Sequence, residues 1–257
     1  MRAMILAAGL GTRLRPLTEN RPKALVEIAG RTFLEITLAR LRGSGIRDVI
    51  VNVHHFAGMI RDYLENNKNF GMNIVVSPEQ VLLDTGGGLK QAAYFFLEYS
   101  VDRDEPFLLH NVDVLSTIDL PRMVRFHTEH QALATLAVEE RKTSRYLLFE
   151  EASELCGRIS GRDSPTELVR PSQRVQPLAF CGIHVISPRF LTMMSEEGAF
   201  SIVTSYLRLA GAGEKILGFR ADEYYWRDLG TPESVAQAAE DLQQSVTLPY
   251  QMPDYSG

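Results

Sequence analysis

The sequence predicts an α/β fold with helices on both faces of a mostly parallel sheet, and three observations carry that prediction. Short β-rich apolar runs alternate with amphipathic stretches of helical period through the first half of the chain. That alternation is βαβα order, whose right-handed crossovers place helices on both faces of the sheet and ligands outside the carboxyl ends of the strands. From about Ala134 the pattern turns to β-rich segments parted by polar stretches, which adds hairpins to the sheet edge.

The elements follow in order. Met4 to Ala8, Val49 to Val53, Ile74 to Val76 and Phe107 to Leu109 are short and β-rich, as buried parallel strands should be. Between them Leu34, Leu38 and Leu41 recur at i, i+4 and i+7, and Leu89, Ala93 and Phe96 do the same, each series giving one apolar helix face. Ala134 to Val138, Tyr146 to Glu150 and Leu178 to Ile186 are the later strands, with a mobile loop expected across 157–174. Helical pattern returns at Pro188 to Ser195 and Phe200 to Ala210. Tyr224 to Asp228 alternates as a short strand with Trp226 and Asp228 on one face. In the last helix Thr231 caps, Pro232 fills the first turn, Glu233 complements the dipole, and Val235, Ala238, Ala239 and Leu242 form the buried stripe. No repeat or linker divides the chain, so one domain over 1–245 is expected, followed by an extended tail over 246–257.

Composition narrows the function. The 257 residues are 45% hydrophobic and 23% charged, the balance of a globular protein. With 27 Lys+Arg against 32 Asp+Glu the net charge is -5, so no global positive field exists to hold nucleic acid or an anionic membrane. No run is long and apolar enough to span a bilayer, and the N-terminal apolar run meets glycine too soon for a signal peptide, so a cytoplasmic protein is expected. Cys156 and Cys181 show no metal-ligand spacing and read as buried or incidental thiols.

Five segments can carry chemistry. In Leu6-Ala7-Ala8-Gly9-Leu10-Gly11-Thr12-Arg13-Leu14-Arg15, glycines let the backbone turn and present N–H groups to an anion, while Arg13 and Arg15 add charge for phosphate oxygens. A tight strand-to-helix turn is the plain alternative, and neither a Walker loop nor a dinucleotide fingerprint is present. Arg21-Pro22-Lys23 pins a lysine before an apolar run, as either a phosphate partner or a solvated side chain. Asp84-Thr85-Gly86-Gly87-Gly88 permits close backbone approach to a flat ligand, or is a flexible helix start. His110-Asn111-Val112-Asp113 places a carboxylate just past a strand, a candidate Mg²⁺ ligand or a turn cap. Asp228 is a candidate to join Asp113, or a partner of the following turn. His54, His55, His110 and His184 lack ligand spacing.

Gly9-Leu10-Gly11-Thr12-Arg13 with Pro16-Leu17-Thr18, Pro22-Lys23, Asn111-Val112-Asp113 and Trp226-Arg227-Asp228-Leu229-Gly230-Thr231, in this order over nearly the whole chain, resemble the sugar-1-phosphate nucleotidyltransferase family. Within it the sequence is most similar to the uridylyltransferases of N-acetylmuramate 1-phosphate, and next to the guanylyltransferases of mannose or heptose 1-phosphate. The resemblance implies a Rossmann-like fold and a Mg²⁺-dependent reaction of a nucleoside triphosphate, UTP before GTP, with a sugar 1-phosphate. It implies that Ala8, Gly9, Gly11, Thr12, Arg13, Gly87 and Gly88 line the nucleotide. Arg13, Lys23 and Asp113 would be catalytic, Asp113 and Asp228 would hold Mg²⁺, and Asn111 and Gly182 would face the sugar. Val112 and Ala24 depart from the family pattern of Gly or Ser and of Pro. A catalytically silent nucleotide-sugar-binding subunit and a phosphocholine cytidylyltransferase are the rival readings, and the oligomeric state is not set by the sequence.

Overall fold

The apolar run after Met1 forms β1 (Arg2–Leu6), whose residues 3–6 are all buried. The computed structural model describes residues 1–98, 104–161, 164–172, 174–244, 246 and 248. Most of the expected tail over 246–257, and residues 162, 163 and 173 of the expected mobile loop, lie outside them. Two compact units emerge, the first made of residues 1–84, 109–118 and 224–257, the second of 85–108 and 119–223.

In the first unit β1 pairs in parallel with β4 (Asp48–Val53), and β4 with β5 (Asn73–Pro78), in register Met4↔Ile50 and Ile50↔Val75. The strand order is β6-β1-β4-β5, with β6 spanning Phe107–Asn111. β5 is therefore an edge, which explains why Ile74 and Val76 are only half-buried where fully buried positions are expected from an apolar run. A small ribbon of β2 (Glu27–Ile28) and β3 (Arg31–Thr32) leads into α1 (Phe33–Gly43). Thr32 caps α1 by accepting from the Glu35 N–H at 3.1 Å, and the leucine series at 34, 38 and 41 is buried as its period demands. α2 (Ala57–Asn66) follows β4. A second ribbon pairs β7 (Val114–Ser116) with β14 (Trp226–Asp228), and α8 (Pro232–Gln244) starts at the expected cap, with Thr231 Oγ1 accepting from the Ser234 N–H at 3.3 Å.

The second unit begins with α3 (Asp84–Gln91) and α4 (Ala93–Leu97), two helices where one is read from the sequence. The break falls at Ala92, where the Phe95 N–H makes a tighter bond to the Ala92 carbonyl at 3.0 Å. α5 (Leu120–Glu129) precedes β8 (Ala134–Glu139), followed by β9 (Tyr146–Phe149), β10 (Leu155–Ile159), β11 (Thr166–Leu168) and β12 (Gln176–Ile186). α6 (Arg189–Thr192), α7 (Ile202–Gly211) and β13 (Ile216–Arg220) complete it. β9 to β12 pair antiparallel in the order β11-β10-β9-β12, β12 pairs antiparallel with β8, and β8 pairs parallel with β13. Part of the polar stretch over 157–174 is thus a hairpin, with Arg158 opposite Glu167, rather than a loop. Both cysteines are buried, and burial pushes both thiols up.

Candidate active site

Leaving β1, the backbone N–H of Ala7 donates to Asn52 Oδ1 at 2.7 Å. Asn52 Nδ2 donates to Glu79 Oε1 at 2.7 Å, and Glu79 Oε2 accepts from the Leu83 N–H at 3.0 Å. Asn52 and Glu79 are both buried, so this chain fixes the exits of β1, β4 and β5 to one another. Neither is singled out by sequence reading. Their signal is a polar residue inside an apolar run, Asn52, and a carboxylate one residue past β5.

The loop then turns through Gly11, whose φ of +65° is the left-handed region. A Cβ there would stand 3.0 Å from Thr18 Cγ2 and 3.2 Å from Lys23 Cβ, and Thr18 Oγ1 holds the Gly11 carbonyl at 2.8 Å. Gly11 therefore brings the turn against Lys23, while Ala8 is buried beneath and Thr12 and Arg13 open a short 3-10 turn at the surface. Gly9 faces the end of Lys23, its virtual Cβ 3.4 Å from Nζ.

Lys23 Nζ lies 2.8 Å from Asp113 Oδ2, with both side chains largely buried. Asp113 follows β6, two residues after Asn111, and its carbonyl accepts from the Leu229 N–H at 2.8 Å. Val112, the departure from the family pattern, is buried, so its branched side chain packs inward. The β7–β14 ribbon sets Asp228 opposite Val114, which brings the second acid, expected on one face with Trp226, beside Asp113. Arg13 Nη2, exposed, stands 3.9 Å from Oδ1 of the half-buried Asp228. Burial and then the Asp113 charge raise the Asp228 carboxyl above its ordinary range, against the Gly230 N–H, Arg13 and Lys23. The Gly230 N–H donates to Asp228 Oδ1 at 3.0 Å, and a Cβ at Gly230 would fall 2.5 Å from that oxygen and 2.6 Å from Arg13 Nη2.

The first unit thus joins Gly9, Gly11, Arg13, Lys23, Asp113 and Asp228. Two acids against two cations make a site suited to a polyanion that arrives with a divalent cation. Among the described residues no group of three or more His, Cys, Asp or Glu could hold a metal, so protein ligands alone would leave coordination positions for water and phosphate.

Ala8, Thr12 and Asn111 lie in the first unit as well, and the remaining expected site residues, Gly87, Gly88 and Gly182, belong to the second. The Gly86–Gly88 run lies inside α3, and the N–H groups of Gly86 and Gly87 reach the Phe200 carbonyl at 2.9 and 3.4 Å. Gly86 is there for packing as well, since a Cβ would overlap the Phe200 ring at 2.3 Å. Gly182, at φ +73°, marks the register shift of β12 between Phe180 and His184. Two residues before it, Phe180 lines a cavity of about 390 Å³ together with Tyr146, Leu147, Ile159, Ser201 and Val203.

The sequence matches a family model described as nucleotidyl transferase over residues 2–245. It is 33% identical over 252 residues to an N-acetylmuramate alpha-1-phosphate uridylyltransferase of Caulobacter vibrioides, covering 93% of this chain and 96% of that protein. It is 28% identical over 254 residues to a mannose-1-phosphate guanylyltransferase of Mycobacterium tuberculosis, covering 93% of this chain and 64% of the relative. In structure it is similar to HddC from Yersinia pseudotuberculosis complexed with GMP-PN, with a TM-score of 0.73 over 94% of this chain and 99% of the other, at 20% identity, a likeness of fold.

Proposed function

Because the chain belongs to the nucleotidyl transferase family and is an enzyme of the sugar-1-phosphate nucleotidyltransferase class, we propose that its reaction joins UTP to N-acetylmuramate 1-phosphate and releases pyrophosphate. The observation that carries the chemistry is the cluster of Lys23 on Asp113 at 2.8 Å beside Asp228 and Arg13. The choice of substrates follows the relative matched over 96% of its length.

A phosphate oxygen of the sugar 1-phosphate attacks the α-phosphorus of the triphosphate, the α–β anhydride P–O bond breaks, and pyrophosphate departs with its electron pair. The attacking phosphate is anionic at neutral pH, so no general base is required and catalysis rests on positioning and charge. The backbone of Ala8, Gly9, Gly11 and Thr12 lines the triphosphate, with Arg13 gripping it from the rim. Lys23 exchanges its Asp113 contact for the phosphates as charge builds on the leaving group. Asp113 and Asp228 fit a Mg²⁺ ion, because Asp228 carries a negative charge that its surroundings disfavour until a cation neutralises it. When bound, that ion supplies charge neutralisation to the triphosphate. In the second unit Gly87 and Gly88 are assigned to the base, and Gly182 with the cavity beside Phe180 to the sugar; in the first unit Asn111 is assigned to the sugar.

The test is pyrophosphate release with Mg²⁺ across a panel of triphosphates and sugar 1-phosphates. UTP with N-acetylmuramate 1-phosphate is expected to give the highest kcat/KM. Turnover confined to GTP with mannose 1-phosphate, or to CTP with phosphocholine, would replace the substrate pair, and no turnover with any pair would sink the enzymatic reading.

A further inference from the structure

The cavity of about 390 Å³ in the second unit has a character that the shared chemistry of the phosphates does not require. Its body is apolar, built by Leu147 of β9, Ile159 of β10, Phe180 of β12 and Val203 of α7. Its polar groups are Tyr146, Ser160, Ser201 and two guanidinium groups, Arg145 and Arg158, and no acidic residue lines it. In a chain of net charge -5 that is a local positive field over an apolar floor.

The two arginines differ. Arg158 Nε donates to Glu167 Oε2 at 2.6 Å across the β10–β11 hairpin, so its charge is already matched. Arg145 lines the cavity and is exposed, and among the described residues it forms no ion pair. Its backbone is held all the same. The Arg145 N–H donates to Thr143 Oγ1 at 3.3 Å, and the Tyr146 hydroxyl accepts from the Thr143 N–H at 3.1 Å, which anchors the turn that presents the guanidinium. Most other arginines of this unit, at 122, 141, 170, 174, 189, 208 and 220, have a carboxylate partner within the protein. A planar cation left open on an apolar cavity matches a ligand that brings its own carboxylate on an apolar body.

We propose that Arg145 is a specificity-determining residue that selects a sugar 1-phosphate bearing a carboxylate, by a charge-assisted pair with that acid while Leu147, Ile159, Phe180 and Val203 cover the methyl groups of its ether and acetamido arms. This rests on the substrate reading above and adds the group that enforces it. A sugar lacking the acid arm leaves Arg145 without its anion and gains only the apolar contacts. The expected discrimination is about ten- to hundredfold in kcat/KM, the range of one charge-assisted hydrogen bond.

The test measures kcat and KM with UTP and Mg²⁺ for N-acetylmuramate 1-phosphate and for N-acetylglucosamine 1-phosphate, which has the same ring and acetamido group without the acid. In Arg145→Ala the ratio of the two kcat/KM values should fall at least tenfold, through KM of the acidic sugar, and Arg145→Lys should restore part of it. An unchanged ratio, or equal loss on both sugars, overturns the role of Arg145 while leaving the substrate reading intact. Wild-type protein that turns over neither N-acetyl sugar but accepts another sugar 1-phosphate overturns the substrate reading and this selection with it, and that result is visible before any variant is made.

Discussion

Asp228 carries a charge that its surroundings resist, since burial and the neighbouring Asp113 both favour the neutral acid. Its folded-state pKa lies above the unfolded value of 3.8, so its contribution to stability is fully present below that value and is lost as pH rises through the folded pKa. At neutral pH the metal-free protein therefore bears the whole penalty. Asp228→Asn should raise Tm at pH 7 in the absence of divalent cation, and the gain should vanish as pH falls below about 4, where the wild-type acid is also neutral. The amide oxygen can still accept from the Gly230 N–H, so the turn that holds residue 228 survives. The same variant should lose turnover by about 100-fold or more, because charge stabilisation of the phosphates is the catalytic term removed. Thermal melts in chelator across pH, beside initial rates in Mg²⁺, check both halves. An Asn variant less stable at pH 7 than wild type would show that Asp228 is a structural acid rather than a functional one.

Between residue and fold stands the β7–β14 ribbon, which delivers Asp113 and Asp228 together, and its own support comes from α1. Arg40 of α1 is almost fully buried and donates through Nη1 to Ser116 Oγ of β7 and through Nη2 to the Ile118 carbonyl at 2.7 Å. Ser116 faces Trp226 in the ribbon register, two residues before Asp228. Arg40→Met would leave these two acceptors without that cation, at a cost of about 1–3 kcal/mol. It should also raise the Mg²⁺ concentration needed for half-maximal activity. Arg40→Lys, with one ammonium in place of a fork, should recover only part of each loss. Stability lost with no change in Mg²⁺ requirement would confine Arg40 to the fold. None of this support is legible in the sequence, where Arg40 sits among Leu34, Leu38 and Leu41 as one more charged residue of an amphipathic helix. By contrast β1, β4, α1 and α8 announce themselves through period and cap, and the strand at 226–228 through alternation. β7 is three residues long, below the length at which alternation can be read, and the Asn52–Glu79 link depends on strand neighbours that no local pattern specifies.

Across the whole molecule, charge is legible from composition while its placement is not, and the same holds for the groups that set the response to acid. His127 and His184 appear in the sequence as isolated histidines, yet the fold buries both in the second unit and holds them neutral. Burial lowers His127 to about 4 and His184 to about 3 from an ordinary 6.5. The environment of His127 explains the preference, because Ser187 Oγ already donates to the Ala132 carbonyl at 2.8 Å and so accepts from Nε2–H at 3.0 Å. Nδ1 is then left as the acceptor for Thr135 Oγ1 at 3.0 Å, and a proton there would displace that donor. His184 Nδ1 meets the buried Tyr206 hydroxyl at 2.8 Å in the same way. A depressed histidine pKa contributes stability that is present above 6.5 and is lost as pH falls toward the folded value, and for His127 alone the loss by pH 4 is about 3 kcal/mol. Asp228 and Glu139, whose carboxyls are both raised by burial, act with the opposite sign. Urea unfolding of the wild type should therefore weaken steadily from pH 6.5 to 4, well before general acid denaturation. His127→Gln, whose amide can accept from Thr135 and donate to Ser187, should remove about one proton from that dependence, a slope change of about 1.4 kcal/mol per pH unit. Equal slopes in the two proteins would mean that His127 is charged in the folded state, contrary to its buried, neutral hydrogen-bond pattern.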